Sequence, residues 1–172
     1  MGGYDPGPGF REGSPFNQRR GDRYHKGVDF PAEQGTPIPC AADGVIVGRG
    51  WNDDFGNIAI LLHDDPLSAH DKYTLYAHMP NLDAVPVIGT EVARGEIIGT
   101  VGNTGFSFGA HLHFELLSLE PGSWWSVVDP YTGGPTGIAG SQGRLDPLNG
   151  SNWGGLDVYD GSSTSESAAT GS

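Results

Sequence analysis

The chain has 172 residues, a formal net charge of −12 and a single cysteine, and this length suits one compact domain of about 100 to 150 residues with some excess. The acidic charge argues against a nucleic-acid binder, which presents a basic face to the phosphates, and against docking on an anionic membrane. The single cysteine excludes an internal disulfide framework, and no run approaches the roughly 18 apolar residues of a membrane-spanning helix.

Residues 1–23 are predicted to form an irregular arm. They are rich in Gly, Pro and Arg and show little periodicity, with one short strand expected near Phe16. The basic cluster of Arg19, Arg20 and Arg23 is interpreted as solvated loop charge, with carboxylate binding near a site as the alternative. The first residues show neither the basic nor the apolar segment of a secretory signal, so we expect a trimmed chain or delivery without a cleaved signal.

From residue 28 to residue 119 the sequence consists of short apolar, β-branched runs closed by Gly, Pro and Asp. Such runs are typical of strands separated by turns, and helix is expected at most as a turn or two near residues 81–85. The runs predicted as strands are residues 28–30, 44–50, 57–63, 72–78, 91–102 in two pieces, and 111–119. Their lengths and spacing indicate an all-β domain built on an antiparallel sheet.

Beyond Tyr131 the composition shifts to Gly, Ser, Thr, Asn and Asp, with Arg144 as the only basic residue. A segment of this kind buries too little apolar surface to offset its chain entropy, so residues 132–172 are predicted to form a flexible acidic tail. Four apolar residues are the exception and could dock on the domain or on a partner: Trp153, Leu156, Val158 and Tyr159.

Two histidine-containing stretches suggest a metal site. His111 and His113 flank Leu112 on a predicted strand, so their side chains point to the same face. His25 and Asp29 lie four residues apart where a loop enters a strand. Two imidazoles and a carboxylate suit zinc, which at a catalytic site takes three protein ligands and keeps a position for water. The residues alone leave open which strand histidine would be the third ligand.

His78 and the remaining strand histidine are available for proton transfer. Imidazole titrates near neutral pH and can move a proton or stabilise negative charge, while zinc activates water for attack on a carbonyl. The sequence therefore supplies the parts of a metal-assisted amide hydrolase. Strand alternation predicts that Tyr76 shares a face with His78, and His63 and His70 are predicted to be surface histidines.

Six stretches, taken in this order, resemble the motifs of the M23 family of peptidoglycan endopeptidases, the lysostaphin-like or LytM-type enzymes. The likeness runs from about Tyr24 to Tyr131. It is carried by His25-Lys26-Gly27-Val28-Asp29-Phe30, Gly35-Thr36-Pro37-Ile38-Pro39, Ala42-Asp43-Gly44-Val45-Ile46, Tyr73-Thr74-Leu75-Tyr76-Ala77-His78-Met79, Gly99-Thr100-Val101-Gly102-Asn103-Thr104-Gly105 and Gly109-Ala110-His111-Leu112-His113-Phe114-Glu115.

The resemblance implies a zinc endopeptidase that cleaves peptide bonds in peptidoglycan stem or cross-bridge peptides, in the periplasm or at the cell wall. Residues 24–131 would form an antiparallel β-sheet lining a groove with zinc at its floor. The implied zinc ligands are His25, Asp29 and His113, and the implied catalytic residues are His78 and His111. The division of roles between the last two stays open, as does the bond that is cleaved.

Two other functions are compatible with parts of the sequence. A non-catalytic binding or regulatory module on the same fold typically lacks a metal ligand, whereas all five positions are filled here. A phage-particle or secretion-apparatus component, docked through the tail, is compatible with the hydrolase. The loop from Asp64 to Asp71 is expected to shape a groove wall, and Trp124 and Trp125 to close the core rather than to stack on sugars.

Overall fold

The structure is a computed structural model that describes residues 2–20, 23–119 and 143–161, with Arg23 described by its backbone alone. The expectations for Trp124, Trp125 and the end of the predicted tail therefore lie outside the described residues. Within the described ranges, no helix has both the length and the apolar character needed to cross a membrane.

Strands make up nearly all the regular structure of the described residues, together with one 3₁₀ helix at Gly150–Trp153. The strands are β1 (Arg19–Arg20), β2 (Arg23–Tyr24), β3 (Val28–Pro31), β4 (Pro37–Pro39), β5 (Gly44–Asn52), β6 (Gly56–His63), β7 (Asp71–Met79), β8 (Glu91–Val92), β9 (Ile97–Thr100), β10 (His111–Leu119) and β11 (Arg144–Leu145). The first strand thus begins at Arg19 rather than near Phe16.

A seven-stranded sheet forms the body of the molecule. Its strand order is β11-β10-β7-β6-β5-β8, and β3 also pairs with β10. Every pairing in it is antiparallel, as the alternation of short strands and turns predicts. Two small sheets, β1-β2 and β4-β9, complete the described structure. The predicted all-β, antiparallel fold is confirmed.

The central strand β10 divides its side chains between two faces of the sheet. Leu112, Phe114 and Leu116 lie in the main core cluster, while Leu117 belongs to a second cluster on the opposite face. Because successive side chains on a strand alternate, burial of Leu112 and Phe114 directs His113 to the second face. The apolar pattern of the strand therefore decides where the imidazole lies.

Both ends of the described chain pack into this core. Tyr4 stacks on Phe114 with ring centroids 4.2 Å apart, and Trp153 stacks on Phe114 from 6.2 Å. Tyr4 and Trp153 are each 1% exposed. Residues 11–14 run along β3, where Gly13 N–H donates to the Asp29 carbonyl at 2.9 Å. Trp153 therefore docks on the domain, one of the two outcomes considered from the sequence.

The loop from Asp64 to Asp71 holds the C-terminal segment instead of lining a groove, so that prediction was wrong. Asp65 is buried, its Oδ2 pairs with Lys72 Nζ at 2.8 Å, and its Oδ1 accepts Gly155 N–H at 2.9 Å. A buried carboxylate needs such partners, because an unpaired buried charge is costly. The loop is consequently an anchor for residues 154–155.

The two histidines predicted to lie on the surface have different environments. His70 is exposed, as expected, but His63 is fully buried. His63 Nδ1 donates to the Asp43 carbonyl at 2.8 Å, and Nε2 accepts from the Thr74 hydroxyl at 2.7 Å. Burial lowers the pKa of His63 to about 4, although the Asp43 contact acts in the opposite direction. His63 is therefore a neutral core residue.

Candidate metal centre

Three side chains meet at one point on the second face of the sheet. His113 Nδ1 lies 2.9 Å from Asp29 Oδ1, and His25 Nε2 lies 3.2 Å from the same oxygen. The two imidazole nitrogens are 3.3 Å apart. These three are the ligands that the family resemblance implies, and the structure brings their donor atoms together.

The spacing of these donor atoms fits a zinc ion. A tetrahedral ion with ligands at about 2.0–2.1 Å places the ligand atoms about 3.3 Å apart, close to the edges of this triangle. Two imidazoles with one carboxylate, leaving a fourth position for water or substrate, are a typical donor set of catalytic zinc. Among the described residues, this trio is the one group of His, Cys, Asp or Glu with metal-site geometry.

Strand pairing explains how residues 84 and 88 positions apart come together. In the β3–β10 ladder, His113 lies directly opposite Asp29, and facing side chains on antiparallel strands have Cβ atoms about 5 Å apart. His25 precedes β3, and Gly27 lets the chain pass close to β10. A Cβ at Gly27 would lie 2.2 Å from the Phe114 carbonyl oxygen, so a larger residue would push His25 away.

Hydrogen bonds orient the two imidazoles. His25 Nδ1 donates to the Pro15 carbonyl at 2.9 Å, and His113 Nε2 donates to Glu115 Oε2 at 2.8 Å. In the neutral tautomer that a metal ion requires, the outer nitrogen of each ring carries the proton, and the nitrogen that faces Asp29 then has a free lone pair. Metal-binding histidines commonly have such outer partners.

Glu115 is in turn held by Arg144, whose Nε donates to Glu115 Oε1 at 2.9 Å. Both residues are buried. Burial alone would raise the pKa of Glu115, but the Arg144 charge and His113 bring it to about 2. Neither the partner of Glu115 nor the role of Arg144 was predicted, because Arg144 lies in a segment without periodicity.

The charges around the centre favour a cation. Burial opposes the charged form of Asp29, yet hydrogen bonds and charge from His113 and His25 hold the pKa of the carboxyl well below its usual range. His113 lies between two carboxylates, which raise its pKa to about 9 despite its burial. The same two carboxylates, Asp29 and Glu115, would stabilise a metal ion in place of the proton.

His78 and His111 lie beside this centre. Their ring centroids are 4.7 Å apart, and His111 Nε2 lies 3.7 Å from Asp29 Oδ1. In each ring Nδ1 donates to a backbone carbonyl, at 2.6 Å to Thr104 for His78 and at 2.7 Å to Gly109 for His111. The Nε2 atom of each neutral ring is therefore an acceptor.

A β-bulge places His78 on this face. Between its pairs with β6, β7 contains one extra residue, and His78 adopts a left-handed φ of 64°. A bulge re-aims the side chains around it. The side chain of Tyr76 consequently lies fully buried in the main core, where its hydroxyl accepts Ala41 N–H at 3.0 Å. The prediction that Tyr76 shares a face with His78 was wrong.

The environment of His78 keeps its imidazole neutral. Burial, followed by the neighbouring positive charge of His113, lowers the pKa of His78 to about 4. A cation held at the centre would act in the same direction as the charged His113. At neutral pH His78 thus offers an unprotonated Nε2 that can accept a proton.

A groove of about 1060 Å³ opens above these side chains. Its lining includes the three donor residues together with His78 and His111. The arm contributes Arg11 and Arg20, and the loop before β10 contributes Phe106 and Phe108. The groove thus gives an extended ligand access to all five predicted site residues.

Comparison with known proteins gives the same assignment as the motifs. Residues 23–123 match the model of peptidase family M23. Over 126 residues the chain is 42% identical to the DD-carboxypeptidase/endopeptidase Mpg of Neisseria meningitidis. That match covers 70% of this chain and 27% of Mpg, so the chain spans about a quarter of the length of this relative.

Solved structures agree with the sequence match. The catalytic domain of the antimicrobial peptidase lysostaphin from Staphylococcus simulans superposes with a TM-score of 0.57 and 30% identity, covering 64% of this chain and 82% of that domain. A zinc-containing peptidase from Vibrio cholerae gives a TM-score of 0.58 and 29% identity, covering 67% of this chain and 36% of the other. The chain belongs to peptidase family M23.

Proposed function

We propose that this chain is a zinc-dependent endopeptidase that hydrolyses peptide bonds in peptidoglycan stem or cross-bridge peptides. The observation that carries the proposal is the meeting of His25 Nε2, Asp29 Oδ1 and His113 Nδ1 at mutual distances of 2.9–3.3 Å. This triangle lies in a groove that also contains two anchored imidazoles. The non-catalytic module is less well supported, because the complete donor set is present.

In this proposal His25, Asp29 and His113 hold the zinc ion. When bound, zinc polarises the scissile carbonyl and activates water. The Pro15 carbonyl and Glu115 keep the two rings in the orientation that leaves their donor nitrogens free. The surrounding residues thus prepare the site before substrate enters, so little reorganisation is needed during the reaction.

His78 and His111 are proposed as the catalytic residues. Because His78 is neutral and its Nδ1 is tied to the Thr104 carbonyl, its Nε2 can take up the proton that the attacking water loses. His111, held by the Gly109 carbonyl, lies on the same side of the groove. After its Nε2 has taken up a proton from solvent, the charged ring can stabilise negative charge on the carbonyl oxygen and then give that proton to the leaving amine.

The name of the Neisseria relative supports a bond between D-amino acids as the target. Residues 24–131 are proposed as the catalytic unit, and its site of action as the periplasm or the cell wall. Cleavage within glycine bridges is the competing specificity. The two specificities differ in the masses of the products, so one digestion experiment separates them.

The test is digestion of purified sacculi of direct and glycine-bridged cross-link type by zinc-loaded protein, with and without a chelator. We expect chelator-sensitive release of muropeptides, whose masses identify the bond that is cleaved. The matched control is Asp29→Asn, which keeps the side-chain shape but removes the anionic donor. If zinc-loaded protein releases nothing from either wall, or if Asp29→Asn is fully active, the proposal fails.

A further inference from the structure

The groove has two walls of different chemistry. One is the arm, which runs along β3 on the edge away from β10 and is held there by Arg11 N–H to the Pro31 carbonyl at 3.0 Å. The other is the loop of residues 103–109, which is tied to the β5–β6 turn through Phe106 N–H and the Asp54 carbonyl at 2.9 Å. An extended ligand in the groove would contact both walls.

The arm wall is basic in a strongly acidic protein. The whole chain has nine Lys and Arg residues against 21 Asp and Glu residues. Among the described residues, Arg11 and Arg20 of the arm and the neighbouring Lys26 line this groove. Three acidic residues line it among the described ones: Asp29 belongs to the metal centre, Glu115 is paired with Arg144, and Asp54 lies in the β5–β6 turn beside the opposite wall. Basic residues are therefore more frequent in the groove than in the chain as a whole, and the arm wall offers a local site for an anionic group.

The two arginines of the arm differ in what they contact. Arg20 Nη2 lies 3.6 Å from Asp29 Oδ2, so Arg20 already forms an ion pair with a residue of the metal centre. The side chain of Arg11 is exposed and forms no hydrogen bond or ion pair with any residue that the structure describes. In the β3–β10 ladder, Pro31, to which Arg11 is tethered, pairs with His111. Arg11 thus lines the groove beside β3, and its guanidinium has no partner among the described residues.

The loop wall is apolar and exposed. Phe106 and Phe108 are 70% and 90% exposed, and their rings form an edge-to-face pair with centroids 5.0 Å apart. Two exposed aromatic rings side by side form an apolar surface that a ligand in the groove can contact. They suit the apolar face of a peptide that carries small side chains, while the basic wall suits its charged groups.

We propose that Arg11 binds a free carboxylate of the peptide substrate, and that the groove therefore prefers anionic stem peptides to amidated stems and to neutral glycine bridges. The inference rests on the proposed function, since it names the substrate class of the same site. A guanidinium offers a planar pair of N–H donors that matches a carboxylate. Arg11 would act on substrate binding and specificity rather than on the chemical step.

The experiment uses two cross-linked muropeptides that differ in one respect, a carboxylate beside the scissile bond that is free in one and amidated in the other. We expect the wild-type protein to prefer the free acid. Arg11→Gln should lower kcat/KM on the free acid about ten- to hundredfold, mainly through KM, and change it less than about twofold on the amide. Arg19→Gln is the matched control, because Arg19 is exposed on the same arm but does not line the groove.

Ionic strength gives a second readout. Added salt should raise KM for the free acid with the wild-type protein, and much less with Arg11→Gln. The inference is overturned if Arg11→Gln slows both substrates equally, if Arg19→Gln has the same effect as Arg11→Gln, or if the wild-type protein does not distinguish the two substrates. Absence of cleavage of either substrate would instead refute the proposed function.

Discussion

The motif strands and the two flanking segments contribute to the site in different ways. The motif strands β3, β7 and β10, with the residues that lead into them, carry all five predicted site residues. The flanking segments, residues 2–20 and 143–161, carry none of them, but they supply the Pro15 carbonyl behind His25 and the Arg144 guanidinium behind Glu115. The motif strands carry the proposed reacting groups, and the flanking segments hold two of these side chains, or their partners, in position.

This difference shows that sequence motifs can reveal the residues of a metal site while leaving the residues that orient them unrecognised. The motif residues are related by strand geometry, which fixes their spacing in sequence. The supporting groups need only a carbonyl or a cation at the right place, which many sequences can provide. Ligand geometry nevertheless depends on such outer contacts, since a small displacement of a metal ligand weakens the site.

The largest effect is expected from a substitution in the motif strands. Asp29→Asn removes the anionic donor that both His25 and His113 face, so zinc content and muropeptide release should fall to background. Zinc content is measured by elemental analysis and release by chromatography. The control is His70→Asn, since His70 is exposed and does not line the groove. Stoichiometric zinc with normal release in Asp29→Asn would contradict the assignment.

A substitution in the flanking segments should instead lower the free energy of unfolding. Arg144→Met removes the Arg144 charge from the buried Glu115 carboxylate and leaves the carboxylate its contact with His113; loss of one member of a buried pair typically costs about 3–5 kcal/mol. Urea unfolding of the zinc-free protein measures this loss. The double variant Arg144→Met/Glu115→Gln should recover most of it, because the uncompensated charge is gone.

A surface pair gives the matched comparison for Arg144. Arg94 Nε lies 3.4 Å from Asp157 Oδ2, but the Asp157 side chain is 86% exposed. Arg94→Met should therefore change the free energy of unfolding by less than about 1 kcal/mol. Equal losses in the free energy of unfolding for Arg94→Met and Arg144→Met would mean that the buried Arg144–Glu115 pair contributes no more to stability than the surface pair.

A third test concerns His63, the buried histidine, and its effect on the pH dependence of the free energy of unfolding. Unfolded His63, with a pKa of about 6.5, binds a proton that the folded ring, with a pKa of about 4, does not. Its stabilising contribution is therefore fully present above pH 6.5 and is lost as the pH falls toward 4. The loss over this range is about 3 kcal/mol.

Replacing His63 by Gln removes this titration. In zinc-free protein, the free energy of unfolding of His63→Gln should decline less between pH 6.5 and pH 4 than that of the wild type. Thermal or urea unfolding at several pH values gives the two curves. Parallel curves over this range would show that His63 does not titrate as its burial predicts.

The last test addresses the contact between the two regions, where His113 meets Glu115. In the double variant Arg144→Met/Glu115→Gln, His113 Nε2 faces a neutral amide in place of a carboxylate, which makes its Nδ1 a weaker donor to the metal. Loss of an outer carboxylate typically lowers metal affinity about 10- to 100-fold. Competition with a chromogenic chelator measures it, and unchanged zinc affinity would limit Glu115 to a structural role.

Strand alternation and motif spacing were sufficient to predict much of the site. The His111-Leu112-His113 pattern placed both imidazoles on one face because β10 is a regular strand there. The antiparallel all-β fold followed from short apolar runs between turns. The roles of the five site residues, and the division into residues 1–23, 24–131 and 132–172, stay predictions.

The features that were missed depend on irregular backbone or distant contacts. Alternation gave the wrong face for Tyr76 because a bulge with one left-handed residue shifts the register at His78, and no apolar pattern reveals such a residue. Arg144 contacts Glu115 across 29 positions, and the hydrogen-bond partners of the buried His63 are Thr74 on β7 and Asp43 in the turn before β5. Contacts of this kind are decided by the assembled fold rather than by local sequence.

The separation of His25 and His113 by 88 positions in the sequence gives the metal centre a second consequence. An ion held by both would act as a reversible cross-link between distant parts of the chain. Since an unfolded chain cannot keep these donors together, binding is linked to folding, and ligand at 100 times its dissociation constant adds about 2.7 kcal/mol. The resistance of this protein to unfolding and proteolysis would then rise and fall with the free zinc concentration around it.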